Sequence, residues 1–396
     1  MSSAIQYITI LGSTGSIGVN TLRVIAEHPQ RYRIFALTAN TSADVLFTQC
    51  VQFTPQYAVL ADEQAAEALG RKLKAAGVST EVLHGVDALA LVASAAEVDT
   101  VMAAIVGGAG LPPTLAAAKS GKKVLLANKE ALVMAGDLFL EIAAENHAKI
   151  LPIDSEHNAI FQCLPVNSQA RFDHCPKAGF SKIVLTASGG PFLDTPLADL
   201  MQVTPQQACK HPNWKMGQKI SVDSATLVNK ALELIEASYL FATPSRDIDI
   251  VIHPQSIVHS MVYFTDGSVL AQLGNPDMRT PIAYGLAWPE RISSGVSQLD
   301  LTALGRLDFL PPDTSRFPGL ELGRTVAESR GTAPVIFNAA NEIAVAAFLT
   351  GQAGFTQIPV IIDAVLQKLG SGTIDCLEHV METDKLARRV AIECLH

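Results

Sequence analysis

The chain has little that would tie it to nucleic acid, to a membrane or to an oxidising compartment. Its 396 residues carry 29 Lys and Arg against 38 Asp and Glu, a formal net charge of −9, with no long basic run. Phosphate backbones are held by clustered cations, so no nucleic-acid partner is expected. No uncharged apolar stretch reaches bilayer length, so no membrane association is expected. The opening "MSSAIQYITILGSTGSIG" lacks a basic region followed by an apolar core and a cleavage site, so no secretory signal is expected. Six cysteines, Cys50, Cys163, Cys175, Cys209, Cys376 and Cys394, include no C-x-x-C pair. That removes the common zinc and disulfide frameworks, and scattered thiols suit a reducing cytoplasm. Charged residues make up 17% and hydrophobic ones 48%, a balance that excludes disorder. The length exceeds one ordinary core and predicts two or three domains.

What is present first is alternation. "YITILG", "YRIFALTAN", "YAVLA", "TEVLHG", "VDTVMAAIVG", "KKVLLA" and "KILPID" read as strands, with helical segments between most of them. The pattern predicts an α/β fold opening with a Rossmann-like domain over 1–153. An α+β domain is expected over 154–288, with a hairpin at Asp266-Gly267 and a helix over "DSATLVNKALELIEASYLF". The Pro-, Gly- and Ser-rich stretch 289–318 reads as a linker, and 319–396 as a small helical bundle.

"GSTGSIG" sets Gly12, Gly15 and Gly18 at the first strand-to-helix junction. Glycines there permit a tight turn and let backbone N–H groups approach a pyrophosphate at a helix N-terminus. A plain structural turn is the alternative, but the flanking strand and helix favour a dinucleotide. At the end of the second strand stand Thr38, Ala39, Asn40, Thr41 and Ser42. No acid is present to hold a ribose 2′-hydroxyl, so NADP is favoured over NAD.

In "LPIDSEHN", Asp154 and Glu156 end a strand at the ligand-binding edge of such a sheet. In an extended segment they would point to one side and repel unless a cation lay between them. Solvated acids at a chain turn are the alternative. The following helix offers a third oxygen ligand from Glu233 or Glu236, with Asn229 on the Glu233 face and Lys230 beside it. An all-oxygen set suits Mg²⁺ or Mn²⁺ rather than zinc. Ser188-Gly189-Gly190 and Ser224, read as opening the helix of Asn229 and Lys230, make a phosphate pocket; ordinary capping by Asp223 or Ser224 is compatible with it. Between them, "CKHPNWKMGQKIS" carries His211, Trp214 and Met216 in a loop suited to a closing lid, or to a buried loop anchor.

Taken together, "GSTGSIG", "LLANKEALV", "LPIDSEHNAIFQ", "LTASGGPF", "HPNWKMGQKISVDSATLVNKALELIEA", "IHPQSIVHSMV" and "FNAANEIAVAAFL" closely resemble the 1-deoxy-D-xylulose 5-phosphate reductoisomerase family over essentially the whole chain. The resemblance implies an NADPH- and metal-dependent homodimer that rearranges and reduces a sugar phosphate to 2-C-methyl-D-erythritol 4-phosphate, on the route to isoprenoids. It implies inhibition by the phosphonohydroxamate fosmidomycin. It assigns metal binding to Asp154, Glu156 and Glu233, and phosphate binding to Ser188, Ser224, Asn229 and Lys230. Ser155 and His211 become substrate contacts, Trp214 and Met216 the lid, and Lys129 a catalytic group near the reacting oxygens. Cofactor contacts are implied for Gly12, Thr14, Gly15, Ser16, Ile17, Ala39, Asn40, Asn128, Lys129, Glu130 and Gly217. The family's occasional basic residue near the 2′-phosphate has no counterpart here.

Overall fold

The computed structural model describes residues 5–165, 179–214 and 216–395. Cys175 lies outside them, and Cys50, Cys163, Cys209, Cys376 and Cys394 are free thiols. The first layer runs β1 (Gln6–Leu11), α1 (Ser16–Glu27), β2 (Tyr32–Ala39), α2 (Ala43–Phe53), β3 (Tyr57–Leu60), α3 (Glu63–Ala75), β4 (Glu81–His84), α4 (Val86–Ser94), β5 (Thr100–Ala103), α5 (Leu111–Lys119), β6 (Lys123–Leu126), α6 (Lys129–Glu145) and β7 (Lys149–Pro152). The seven strands order as β4-β3-β2-β1-β5-β6-β7, every pair parallel. Helices cover both faces, which is why β5 and the apolar part of β6 are buried throughout. The order reverses between β1 and β5, in register from Ile8 opposite Thr100 to Leu11 opposite Ala103. That switch opens a crevice at the strands' C-terminal ends. The helix α4 is absent from the sequence expectation: "VDALALVASAAE" is short and largely apolar, and its periodicity is weak.

Beyond β7 come α7 (Ser155–Cys163), β8 (Phe180–Ala187), α8 (Leu197–Leu200), α9 (Pro205–Ala208), α10 (Gln218–Ala225), α11 (Val228–Leu240), β9 (Ile248–Ile252), β10 (Val258–Phe264) and β11 (Val269–Leu273). Their sheet orders as β11-β10-β8-β9, with β8 and β9 parallel and the other pairs antiparallel. The β10–β11 hairpin turns at Asp266-Gly267, where Gly267 has φ +88°. The chain then passes through α12 (Arg279–Ala287) and α13 (Leu301–Leu304) into α14 (Gly319–Ser329), α15 (Ala333–Leu349), α16 (Gln357–Leu369) and α17 (Leu377–Glu393).

Helix α11 is the centre of the molecule. It packs on α6, α14, β8 and β9, and nearly every residue in it is buried, including Lys230, Glu233 and Glu236. A helix enclosed on all sides has no solvated face for these charges, so each needs a partner. The expected helix from Asp223 to Phe241 is in fact two. Leu227 takes a left-handed conformation, φ +59°, and separates α10 from α11. Ser224 therefore sits in the last turn of α10 and neither opens nor caps the helix carrying Asn229 and Lys230. The extended reading of Asp154 to Glu156 is corrected too. Asp154 is the N-cap of α7, and Glu156 lies in its first turn.

Candidate active site

The glycine loop shows a close backbone approach at two positions. Gly12 follows β1 at φ +84°, and a Cβ there would lie 2.7 Å from the Ala104 carbonyl oxygen. A Cβ on Gly18 would meet the Ser13 Cα at 2.4 Å, so α1 presses on the turn that feeds it. Gly15, the N-cap of α1, receives no side-chain cap and is exposed with Ser16, while Thr14 and Ile17 are half-buried. Free N–H groups at this helix start are available to an anion. At the end of β2, Ala39 is buried and Asn40 exposed.

The loop after β5 joins this turn to α6. Asn128 caps α6 by accepting from the Ala131 N–H at 3.2 Å, and its amide donates to the Gly107 carbonyl at 3.1 Å. The cap places Lys129 and Glu130 as the first two residues of the helix. Lys129 Nζ then lies 2.6 Å from Asp154 Oδ2 and 3.1 Å from Glu233 Oε1, and donates to Asn229 Oδ1 at 2.9 Å. Asp154, Glu156 and Glu233 bring carboxylate oxygens within 4.8 Å of one another. Lys230 Nζ lies 2.6 Å from Glu156 Oε1 and also pairs with Glu233 Oε2, and Asn229 donates to Glu233 Oε1. Ser155 Oγ donates to Glu156 Oε2 at 2.5 Å. Two lysines and an amide thus hold three buried or half-buried acids together.

The electrostatics follow from this crowding. Burial and the Glu156 charge push the Glu233 carboxyl up to about 7. Burial would raise Asp154 as well, but the Lys129 ammonium holds it well below the usual carboxylate range. Burial works against both ammonium groups, yet the acids beside them keep Lys129 and Lys230 above the ordinary lysine value. Three carboxylates facing one point, with an all-oxygen donor set, fit a hard divalent cation such as Mg²⁺ or Mn²⁺.

Behind this set Glu236, the alternative third ligand of the sequence reading, stands beside His157, which that reading did not single out. The His157 Nε2–H donates to the Glu233 carbonyl at 2.9 Å, and its Nδ1 lies 3.4 Å from Glu236 Oε2. Burial pushes the Glu236 carboxyl up to about 7. Asp154, His157 and Glu236 form a second group within 4.8 Å. The available signal was the spacing of Asp154 and His157, cap and third helical residue on one face of α7.

Part of the expected phosphate and lid set also comes together. Ser188-Gly189-Gly190 follows β8, and a Cβ on Gly190 would lie 2.9 Å from the Ser224 carbonyl oxygen, so the turn rests on the end of α10. His211 Nδ1 accepts from the backbone N–H of Asn213 and Trp214 at 3.2 and 3.0 Å. Its Nε2 therefore carries the proton and donates to Ser188 Oγ at 2.8 Å. Ser188 Oγ also accepts from the Gly190 N–H at 3.1 Å, which leaves its own proton to donate. Burial pushes His211 below its ordinary value, against the pull of Glu156. The Trp214 indole is half-buried, 6.3 Å from the His259 ring. Met216 is half-buried, and Gly217 caps the start of α10. Asn229 and Lys230 are engaged with the acids rather than turned to the Ser188 loop.

Family models described as 1-deoxy-D-xylulose 5-phosphate reductoisomerase, its C-terminal domain, and the DXP reductoisomerase C-terminal domain match residues 8–136, 150–241 and 273–390 respectively. A 1-deoxy-D-xylulose 5-phosphate reductoisomerase of Cellvibrio japonicus is 60% identical over 394 residues, spanning 98% of each chain. The chain belongs to the 1-deoxy-D-xylulose 5-phosphate reductoisomerase family. The reductoisomerase of Dechloromonas aromatica is 58% identical over 99% of this chain and 98% of its own. A reductoisomerase crystallised with NADPH, fosmidomycin and magnesium matches at TM-score 0.93 and 48% identity, covering 99% of this chain and 98% of that one. The Zymomonas mobilis reductoisomerase in complex with NADPH matches at TM-score 0.91 and 45% identity, covering 100% of this chain and 99% of that one. Among the described residues no helix is long and apolar enough to cross a membrane.

Proposed function

We propose that this chain converts 1-deoxy-D-xylulose 5-phosphate and NADPH to 2-C-methyl-D-erythritol 4-phosphate, with Mg²⁺ or Mn²⁺ held by Asp154, Glu156 and Glu233. The observation that carries the reading is the convergence of these three carboxylates at the C-terminal edge of a dinucleotide-type sheet. When bound, the cation supplies Lewis-acid polarisation of an α-hydroxy ketone, and the nicotinamide supplies hydride. The carbon skeleton rearranges by a retro-aldol/aldol path or an α-ketol shift, and the resulting aldehyde is reduced.

The chain's own groups do the positioning. Gly12, Thr14, Gly15, Ser16 and Ile17 receive the pyrophosphate at the start of α1, and Asn40 faces the adenosine ribose from the end of β2. Ser188 and Ser224, with Asn229 and Lys230 as they turn from the acids, take the substrate phosphate, remote from the bonds that change. Ser155 and His211 contact the sugar. Lys129 Nζ holds positive charge beside the oxygens that become electron-rich. Trp214 and Met216 close over the substrate and exclude water from the aldehyde. The enzyme works in the cytoplasm as a homodimer. The outer strand β11, whose Val269 and Leu270 are exposed, supports a self-associating surface. Fosmidomycin, bound by relatives, inhibits it. The test is NADPH consumption with 1-deoxy-D-xylulose 5-phosphate, before and after chelation and on readdition of Mg²⁺ or Mn²⁺. Turnover that survives exhaustive chelation, or none with that substrate, overturns the reading.

A further inference from the structure

Helix α15 belongs to the C-terminal bundle and is mostly apolar, yet Asn338 and Asn341 within it are fully buried. A buried amide in such a helix is unfavourable unless it is bonded. Asn341 Nδ2 donates to Asp223 Oδ1 at 2.9 Å. Asp223, buried on α10, holds Lys219 Nζ at 2.9 Å, one helical turn earlier on the same helix. Lys219 in turn ion-pairs with Glu130 Oε1 at 2.9 Å. Glu130 is the neighbour of Lys129 in the first turn of α6. Four polar side chains therefore run from the C-terminal bundle, across α10, to the helix start that presents Lys129.

The middle of that line is the mechanically important part. Helix α10 begins at Gln218, directly after Met216 and Gly217 of the expected lid segment, and Ser224 follows Asp223 near its end. Whatever sets the rotation of α10 sets the anchor of that segment and the position of Ser224 together. A leucine at 341 would fill similar space but remove the amide donor from Asp223 Oδ1 and leave that buried carboxylate to Lys219 alone. Stability alone favours replacing a buried polar pair by hydrocarbon on both sides, so keeping the pair points to a demand for orientation. We propose that Asn341 is a positioning residue for the substrate site: through Asp223 it fixes α10, and α10 fixes the lid anchor and Ser224. The proposal rests on the reading that these elements bind the substrate phosphate.

The test compares the full-length parent with Asn341→Leu, Asn341→Asp, Lys219→Met and the double variant Asn341→Leu/Lys219→Met. Losing one charge-assisted bond is expected to raise the KM for 1-deoxy-D-xylulose 5-phosphate about tenfold in Asn341→Leu. The dissociation constant for NADPH should rise less than the KM does, because the glycine loop is untouched and only Glu130 and Gly217 of the implied cofactor contacts adjoin this line. Lys219→Met should shift the same KM, and the two effects should combine less than multiplicatively in the double variant, since both act on Asp223 in one line. Acrylamide quenching should rise in the single variants, because Trp288 is buried and Trp214 is the accessible indole of the two. If Asn341→Leu fails to fold, Asn341→Asp carries the test: it keeps the volume, sets a carboxylate against Asp223, and should raise KM at least as much. Parental KM in the Asn341 variants overturns the proposal. So does a loss of NADPH affinity in step with KM, which would mark general destabilisation, or multiplicative effects in the double variant. A parent without turnover overturns both this inference and the functional reading, whereas a normal parent with normal variants overturns only this one.

Discussion

Replacing Lys129 by Met separates what the lysine does for the protein from what a metal would do. In the metal-free protein three carboxylates share two ammonium groups, and Lys129 Nζ lies 2.6 Å from Asp154 and 3.1 Å from Glu233. The variant leaves three acids and Lys230 alone. Breaking a buried pair from one side costs about 3–5 kcal/mol. Asp154 keeps some contact with water, its side chain being 17% exposed, and Asn229 still donates to Glu233, which places the loss near the lower bound. The metal-free variant should therefore unfold about 3 kcal/mol more easily than the metal-free parent. A cation at about a hundred times its Kd adds about 2.7 kcal/mol to any protein that binds it only when folded. In the variant that gain should be larger than in the parent, because the extra uncompensated charge favours the cation. Thermal melts in EDTA and in saturating Mg²⁺ read both numbers, with turnover expected to collapse. An Mg²⁺ shift no larger than the parent's would refute the idea that Lys129 and the cation compete for the same carboxylates.

Three further outcomes test other parts of the site. Gly18→Ala sets a methyl 2.4 Å from the Ser13 Cα, so NADPH affinity should fall at least about tenfold, measured by nicotinamide fluorescence; parental affinity would show that the turn can give way. Asn40→Asp places a carboxylate at the exposed end of β2 and should lower the NADPH-to-NADH preference about tenfold; an unchanged ratio of kcat/KM values would mean that β2 does not read the 2′-phosphate. His211 has its folded value depressed below 6.5, so its contribution to stability is present above 6.5 and lost as pH falls through that lower value. Protonation of Nδ1 breaks its two acceptor bonds to residues 213 and 214, so substrate KM should climb on acidification in the parent and not in His211→Gln; parallel pH profiles would remove His211 from the lid.

How much of this was legible beforehand depended on range. The parallel sheet was readable because strands buried on both faces are continuous apolar runs, and the glycine junction because strand, turn and helix are adjacent. Local errors came where tertiary packing overrides local pattern. "DSATLVNKALELIEA" reads as one helix, since Leu227 has no propensity for a left-handed break; packing around α11 imposes it. Asp154 and Glu156 read as a strand end because only Ile153 and Asp154 separate β7 from α7. The pairing of the acids with Lys129 was out of reach for residue reasoning, since Glu233 and Lys129 are 104 positions apart. The link of Asn341 to Asp223, spanning 118 positions, left no trace beyond two amides in an apolar helix.

That last span has a bearing on biosynthesis. A nascent chain emerging from the ribosome completes its parallel sheet and glycine loop early. The carboxylate of Asp223 emerges long before its amide partner, and α10 acquires its final brace only when α15 has been translated and docked. The cofactor half is thus the first to be assembled, and competence to grip a substrate is among the last properties the growing polypeptide gains.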